Sequence, residues 1–321
     1  MSKIFPTLQL TIILMAATVS SPATEFPAWA YPVVSSGGPP VPDDGLARHV
    51  PDSDVTFTRT QIAAIGSRVP DWHPDEHPPM PDIVAKGRAP LVFACGYCHL
   101  PTGAGRPENT SLAGLTAAYI KQEMLAFRNG DRPGSEPRRL PQTLMVAIAK
   151  AVTTAEIEEA AAYFASLKPA SFVKVVETAT VPKIVVADWT LTSAPEGGTE
   201  PIGNRILEMP EDFARFEHRD SRTPYLAYVP LGSVRRGAEL VATGGNGKTL
   251  LCSTCHGPEL KGLADVPRLL GRSPSFLMRQ LYDLRSGMRK GGASELMKPV
   301  VVNLTDEDLV AIVAYLASRE P

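Results

Sequence analysis

Apolar residues recur at mixed spacings of three and four over residues 117–128 and 275–285, and the two runs stop at Gly130 and Gly287. That period and those stops predict two amphipathic helices. Two later runs begin at Thr153 or Thr154 and at Thr305, each followed by acidic residues, and end at Lys168-Pro169 and Arg319-Glu320-Pro321. A hydroxyl before an acidic first turn predicts an N-capped helix, because the side chain satisfies a free N–H and the carboxylates face the positive helix end. Residues 82–93 and 233–243 predict leading helices, the second parted from Cys252 by Gly244-Gly245-Asn246-Gly247. Two stretches break the helical pattern: residues 31–80 are Pro-rich, and 169–232 are mixed, with strand-like pieces such as Lys183 to Ala187.

The helical segments repeat. Cys95 and Cys252 are 157 positions apart, and the same offset pairs Tyr119 with Phe276, Phe127 with Leu284, Arg128 with Arg285 and Gly130 with Gly287. Farther along, an offset of 152 pairs Met145 with Met297, Thr153 with Thr305, Ile157 with Leu309 and Tyr163 with Tyr315. The first copy therefore has five extra residues in the polar stretch around Ser135 to Arg139. Loops absorb such insertions at low cost. Repetition at this scale predicts two like units, residues 81–168 and 233–321, joined by a long and partly irregular linker at 169–232.

Composition adds an address and a charge pattern. Lys3, the apolar run Leu8 to Val19 and the small residues Ser21 and Ala23 read as an export signal over residues 1–23; Ala28-Trp29-Ala30 is a second small-x-small site, so cleavage as late as residue 30 is an alternative. No later run reaches the ~18 apolar residues of a membrane span, so a soluble exported protein is expected. The 31–80 extension has 3 basic against 7 acidic residues and the 169–232 linker is also net acidic, whereas 81–168 and 233–320 are net basic. The acidic stretches either wrap onto the basic units or are simply solvated.

All four cysteines fall in two stretches, Cys95-Gly96-Tyr97-Cys98-His99 and Cys252-Ser253-Thr254-Cys255-His256. In an oxidising compartment, disulfides are the plain reading of an even cysteine count. However, Cys-x-x-Cys-His is the spacing at which two thiols add to the two vinyl groups of one haem while the adjacent imidazole reaches the iron. A zinc site from both pairs would want 15 to 20 residues between them, and a dithiol redox site a βαβ setting; the chain has neither. Two covalently bound haem c groups are thus expected, on Cys95 and Cys98 with His99, and on Cys252 and Cys255 with His256. Met145 and Met297 are the methionines that coincide between the repeats, 46 and 41 residues after the two histidines, in stretches taken as loops near Pro141 and Pro299. A methionine opposite the histidine raises the potential for electron transfer, so these two are the candidate sixth ligands. Met124 and Met278 fit packing rows, Met80 and Met209 lie outside the repeats, and Met288 is the rival for the second haem.

Each unit resembles a class I cytochrome c domain, and the pair resembles the two-domain di-haem cytochromes of the cytochrome c4 type. The resemblance rests on the two Cys-x-x-Cys-His motifs, on Gln280-Leu281 through Gly287, and on Met297 followed by Leu304 to Asp308 and Tyr315-Leu316. It implies a mainly α fold around each haem, Met145 and Met297 as ligands, and contact between the first and last helices of each unit, with Gly87 and Tyr163, and Gly237 and Tyr315, as candidates. Gly237 stands 15 residues before Cys252 but Gly87 only 8 before Cys95, which sets the second leading helix apart from the pattern.

The function implied is periplasmic transfer of single electrons between a redox protein donor and acceptor of a respiratory or dehydrogenase chain. The chain would be a carrier rather than an enzyme, in one variant the cytochrome subunit of a dehydrogenase, with a membrane-bound dehydrogenase or oxidase among the partners and no nucleic acid. The alternative is a di-haem peroxidase or sulfur-compound oxidoreductase with one open haem site. Other signals are weaker. His73-Pro74-Asp75-Glu76-His77 could hold a metal but reads as a solvated loop, Gly244 to Thr249 lacks the full phosphate-loop spacing, and Arg285, Arg289 and Lys290 are candidates for the haem propionates.

Overall fold

In the computed structural model, residues 26–34 and 42–321 are described, so the apolar run Leu8 to Val19 and Ala23 lie outside them. A single turn at Ala28–Ala30 precedes α1 (Arg59–Ala63), whose Thr58 and Gln61 form a reciprocal cap. The leading segment of the first unit is shorter than its pattern predicts. Only α2 (Asp82–Ala85) is helical, followed by a hairpin of β1 (Gly87–Arg88) and β2 (Val92–Phe93). Gly87 turns the chain at φ +67° and Pro90 has no N–H to continue a helix, so the expected helix to Phe93 cannot form. The atoms crowding Gly87 belong to that hairpin, and it is not the contact point with the last helix.

The motif turn α3 (Cys95–His99) is followed by α4 (Ala117–Asn129), α5 (Leu140–Ala151) and α6 (Thr154–Ser166). Thr116 caps α4 by accepting from the Tyr119 N–H, and Thr153 with Glu156 forms a capping box on α6. Val84, Val92, Leu115, Ile157, Ala161 and Phe164 close the core of this unit.

Residues 169–232, expected as a partly irregular linker with strand-like pieces, form a small β module in which the piece at Lys183 to Ala187 contains a strand. Its strands are β3 (Val173–Glu177), β4 (Thr180–Pro182), β5 (Ile184–Ala187), β6 (Thr190–Ser193), β7 (Thr199–Pro201), β8 (Leu207–Pro210) and, after the turn α7 (Phe213–Glu217), β9 (Tyr225–Val229). The main sheet runs β3-β9-β8, with β9 parallel to β3 and antiparallel to β8, and β4–β7 and β5–β6 are antiparallel pairs. Val181, Leu191, Ile202, Leu207 and Met209 fill its core. The acidic extension docks on this module through discrete bonds. Trp72 donates its indole N–H to the His218 carbonyl at 2.7 Å, Arg222 pairs with Glu76, and His73 meets Asp220 at 3.0 Å. Two segments of like net charge thus hold together by local pairing, and the contact runs from extension to β module as well as to the first unit, where Val69 N–H donates to the Ala85 carbonyl.

The second unit comprises α8 (Ser233–Thr243), α9 (Ser253–His256), α10 (Pro274–Arg285), α11 (Ser294–Val301) and α12 (Asp306–Ala317). Structural details recur at the two sequence offsets. Thr116 and Ser273 cap α4 and α10, and Thr153 and Thr305 cap α6 and α12. Arg128 donates to the Val152 carbonyl and Arg285 to that of Leu304, while Gly114 abuts Pro169 and Gly271 abuts Pro321. The second leading helix, set apart by its spacing, forms the closest crossing: Gly237 of α8 lies against the Ala311 carbonyl and Tyr315 of α12. Arg236 and Lys248 both pair with the buried Asp308 at the start of α12, which accounts for the lysine in the Gly-rich stretch.

A Cβ at position 237 would overlap the Ala311 carbonyl oxygen. Gly237→Ala should therefore destabilise the protein by about 1–3 kcal/mol, the usual cost of overpacking, in a denaturant melt. An unchanged midpoint would show that α8 and α12 do not pack this closely.

Candidate functional site

In the first motif, Gly96 sits where a Cβ would lie 2.9 Å from the Val84 carbonyl oxygen, so α3 can press against α2 only with glycine there. This leaves Cys95, Cys98 and His99 along one wall of a cavity of about 370 Å³. Its other walls include Leu112, Ile120, Phe127, Ile157 and Phe164, together with Met145. A cleft of this size whose surface is mostly apolar, with charged side chains at part of its wall, is a usual form of site for a flat organic cofactor.

The imidazole is held in one tautomer. His99 Nδ1 is 2.9 Å from the Thr110 carbonyl oxygen, and a carbonyl can only accept, so Nδ1 carries the proton and Nε2 keeps its lone pair. Burial lowers the pKa of His99 below the ordinary value, which also favours the neutral ring. The second unit repeats this arrangement eleven residues past its own histidine, with His256 Nδ1 2.7 Å from the Pro267 carbonyl oxygen and its pKa lowered by burial. A backbone acceptor on the far nitrogen is the usual support for a metal-ligating histidine.

The four cysteines are unpaired, so the disulfide reading fails. Burial pushes the Cys95 thiol up to about 12 and raises Cys98 and Cys252 as well, whereas zinc binding and dithiol exchange need a readily formed thiolate. Among the described residues, no group of three or more His, Cys, Asp or Glu is arranged to hold a metal ion. The residues do fit a covalently tethered porphyrin, which needs two thiols, one free imidazole nitrogen and an apolar slot.

Met145 and Met297 are not in loops. Met145 is on α5, where Pro141 occupies the first turn that proline suits, and Met297 is on α11 beside Pro299. The structure brings Met145 to the cavity of Cys95, Cys98 and His99, and packs Met297 against the hydrophobic cluster that also includes Cys252. Cys255 is exposed. Met124 also lines the first cavity, Met278 packs in the core as its row suggests, and of the two outside the repeats Met209 is buried in the β module and Met80 packs against the first unit's core.

Other sequence candidates are engaged elsewhere. His73 is buried against Asp220, and His77 bonds Asp71 at 3.2 Å with its ring edge-on to Tyr163, so the histidine cluster is neither a metal site nor a solvated loop. Arg285 is held by the Leu304 carbonyl and Asp306, and Arg289 by Glu123 and the Tyr119 hydroxyl. The β5–β6 turn, Asp188-Trp189, also lines the first cavity. Both residues have positive φ, +44° and +67°, a conformation costing roughly 1–2 kcal/mol per non-glycine residue, and no glycine advertises this turn in the sequence. Arg219 lies 3.7 Å over the Tyr97 ring and donates to the Tyr97 carbonyl, tying the β module to the motif.

Residues 234–320 match the cytochrome c family. Over 80 residues the chain is 41% identical to cytochrome c-554(548) of Halomonas halodenitrificans, a match covering 25% of this chain and 96% of that protein. The chain belongs to the cytochrome c family. It carries covalently bound haem c and is similar to the di-haem cytochromes c4: cytochrome c4 of Azotobacter vinelandii is 33% identical over 87 residues, covering 25% of this chain and 41% of that one. The thiosulfate dehydrogenase electron acceptor of Thiomonas intermedia is 23% identical over 235 residues, or 72% of this chain and 80% of that protein. Electron transfer is the function these relatives support, and no helix among the described residues is long and apolar enough to cross a membrane.

Burial opposes a charge on His77, but the Asp71 and Pro78 hydrogen bonds and the Asp71 and Glu76 charges outweigh it and raise its pKa. A raised pKa contributes stability that is full below the unfolded value of ~6.5 and is lost as pH rises through the folded one. Denaturant midpoints from pH 5 to 9 should therefore fall more steeply above ~6.5 in the parent than in His77→Gln; parallel profiles would show that the pair contributes nothing.

Proposed function

We propose that this cytochrome carries single electrons between periplasmic redox proteins through two six-coordinate haems. Haem one is attached to Cys95 and Cys98 and ligated by His99 and Met145; haem two is attached to Cys252 and Cys255 and ligated by His256 and Met297. The observation that carries this reading is the paired imidazole arrangement, in which each Nδ1 proton is given to a carbonyl eleven residues on. His99 with Met145 and His256 with Met297 would fill the coordination sphere of each iron, so the chain would work by potential and haem-edge access rather than by binding a substrate.

The haem supplies the one-electron Fe(III)/Fe(II) couple, and the protein supplies its setting. The apolar walls keep water from the first iron, and the pinned imidazoles keep Nε2 aimed without reorganisation between redox states. The two units differ at their surfaces. The β5–β6 turn and Arg219 cover the first motif, whereas Cys255 is exposed and Leu250, Leu251, Leu263 and Leu296, all exposed, flank the second motif and its methionine in sequence. Exchange with partners is accordingly assigned to haem two. The Thiomonas intermedia relative is named as the electron acceptor of thiosulfate dehydrogenase, and a dehydrogenase is the donor class proposed here.

Export follows from residues 1–23. Ala30 and Tyr31 are buried in the second unit, where Arg279 donates to the Ala30 carbonyl and the Tyr31 hydroxyl donates to Asp283, so cleavage after Ala23 keeps what the core buries and cleavage after Ala30 removes part of it. The mature protein should begin before Phe26 by amino-terminal sequencing; a start at Tyr31 would contradict this.

Met145→Ala and Met297→Ala, made separately, should each abolish the far-red methionine-to-iron absorption of one haem while both haems stay attached. Retention of that band in either variant would remove that methionine as a ligand. A parent protein with one high-spin haem and peroxide turnover would overturn the carrier reading in favour of a di-haem enzyme.

A further inference from the structure

The cavity of the first motif does not end within its own unit. Arg272 and Arg279 of the second unit line it together with Arg139 of the first. All three are buried, each 4% exposed. Three other arginines on the same cavity are neutralised within the protein, Arg106 by Glu108 and Arg132 and Arg289 by a shared Glu123, while Arg219 packs on the Tyr97 ring and donates to the Tyr97 carbonyl. Among the described residues, no carboxylate lies within ion-pairing distance of Arg139, Arg272 or Arg279. Arg139 donates only to the Glu108 carbonyl, Arg279 to the carbonyls of Ala30 and Pro107, and Arg272 to the Thr110 hydroxyl and the carbonyls of Ser111 and Arg268. The Nε groups of Arg139 and Arg272 are buried with no partner at all. Asp283 also lines the cavity but is taken by the Tyr31 hydroxyl and by Ser135.

A guanidinium stays charged in a protein, and a buried charge without a counter-ion costs several kcal/mol. Burial lowers the pKa of all three, that of Arg139 to about 9, with Arg279 repelling it further. The charges of Glu108, Asp283, Glu208 and Glu123 offset this only in part, so three such groups around one cavity favour an anion that enters with the ligand. A haem tethered at Cys95 and Cys98 brings two carboxylates, its propionates, and arginine is the side chain best shaped to bind them.

We propose that Arg139, together with Arg272 and Arg279 from the second unit, binds the propionates of the first haem, so that the second unit completes the first haem's site and raises its reduction potential. This rests on haem one being attached at Cys95 and Cys98. Positive charge in a poorly screened site favours the reduced iron, which carries one positive charge fewer. The potential of haem one is then set across the boundary between the units, by residues of the α10 region.

The test uses the di-haem holoprotein with Arg272→Gln, Arg279→Gln and Arg139→Gln, each beside its lysine counterpart. Potentiometric titration reads both haems, with haem one identified as the couple altered by Met145→Ala, and peptide mapping reads attachment. The glutamine variants should lower the potential of haem one by about a tenfold change in its oxidised-to-reduced ratio, ~59 mV for one electron, and shift haem two less. The lysine variants should retain most of the potential, which a purely structural role would not predict. Arg139→Gln, in the first unit, gives the same reading if either second-unit variant fails to fold. Haem present on Cys95 and Cys98 with unchanged potentials, or with both haems shifted equally, would overturn the inference alone. Absence of haem from that peptide in the parent protein would overturn the attachment reading beneath it.

Discussion

An imidazole that gives its Nδ1 proton to a main-chain carbonyl has one nitrogen left, and that nitrogen can point in only one direction. His99 and His256 are each fixed in this way, by carbonyls eleven residues downstream. For the acceptor to be in place, the chain after each motif must turn back on itself. It does so through equivalent backbone bonds, Gly105 N–H to the His99 carbonyl and Gly262 N–H to that of His256, both 3.0 Å. The capped helices α4 and α10 begin just beyond. The loop, the cap and the helix that walls each site therefore serve one requirement, a ligand aimed before the metal is present.

Much of this could be read from local pattern. Hydroxyl caps at Thr153 and Thr305, the stop at Gly130 and the helix limits around 117–128 and 275–285 depend on residues a few positions apart, and they agree with the structure to within a residue or so. The motif cysteines and histidines are candidates on their spacing alone, and the structure sets Cys95, Cys98 and His99 along one cavity. What escaped depends on distant pairing. β9 joins β3 across about fifty residues in parallel register, which no local alternation reveals, so residues 169–232 read as mixed, with strand-like pieces but no sheet. The loops expected around Met145 and Met297 are helices because proline is tolerated near the start of α5 and within the short α11. The first leading helix failed through two residues, Gly87 and Pro90, whose effect on backbone geometry outweighs the apolar pattern around them.

The five-residue insertion of the first repeat shows how a local change acquires a distant role. As sequence, residues 135–139 are a polar loop of the kind that tolerates insertion. In the fold, Ser135 donates from both its N–H and its hydroxyl to Asp283 of α10, and Arg139 ends the same stretch inside the first cavity. Arg132, just before it, donates to the Lys290 carbonyl of the second unit. The insertion and the basic face of α10 thus form one seam between the units, with the segment at Ala30 and Tyr31 closing its far side. The acidic extension and the β module also wall the first cavity, through Ala63, Ile65, Asp188, Trp189 and Arg219, so the two features absent from a plain repeat help enclose the first site.

The central claim is that this chain holds one haem on each Cys-x-x-Cys-His stretch. Mass spectrometry of tryptic peptides from the exported holoprotein tests it most directly. The account predicts a single haem adduct on the peptide containing Cys95, Cys98 and His99, and another on that containing Cys252, Cys255 and His256. Unmodified cysteines in either peptide, or a disulfide between Cys95 and Cys98 or between Cys252 and Cys255, would contradict it.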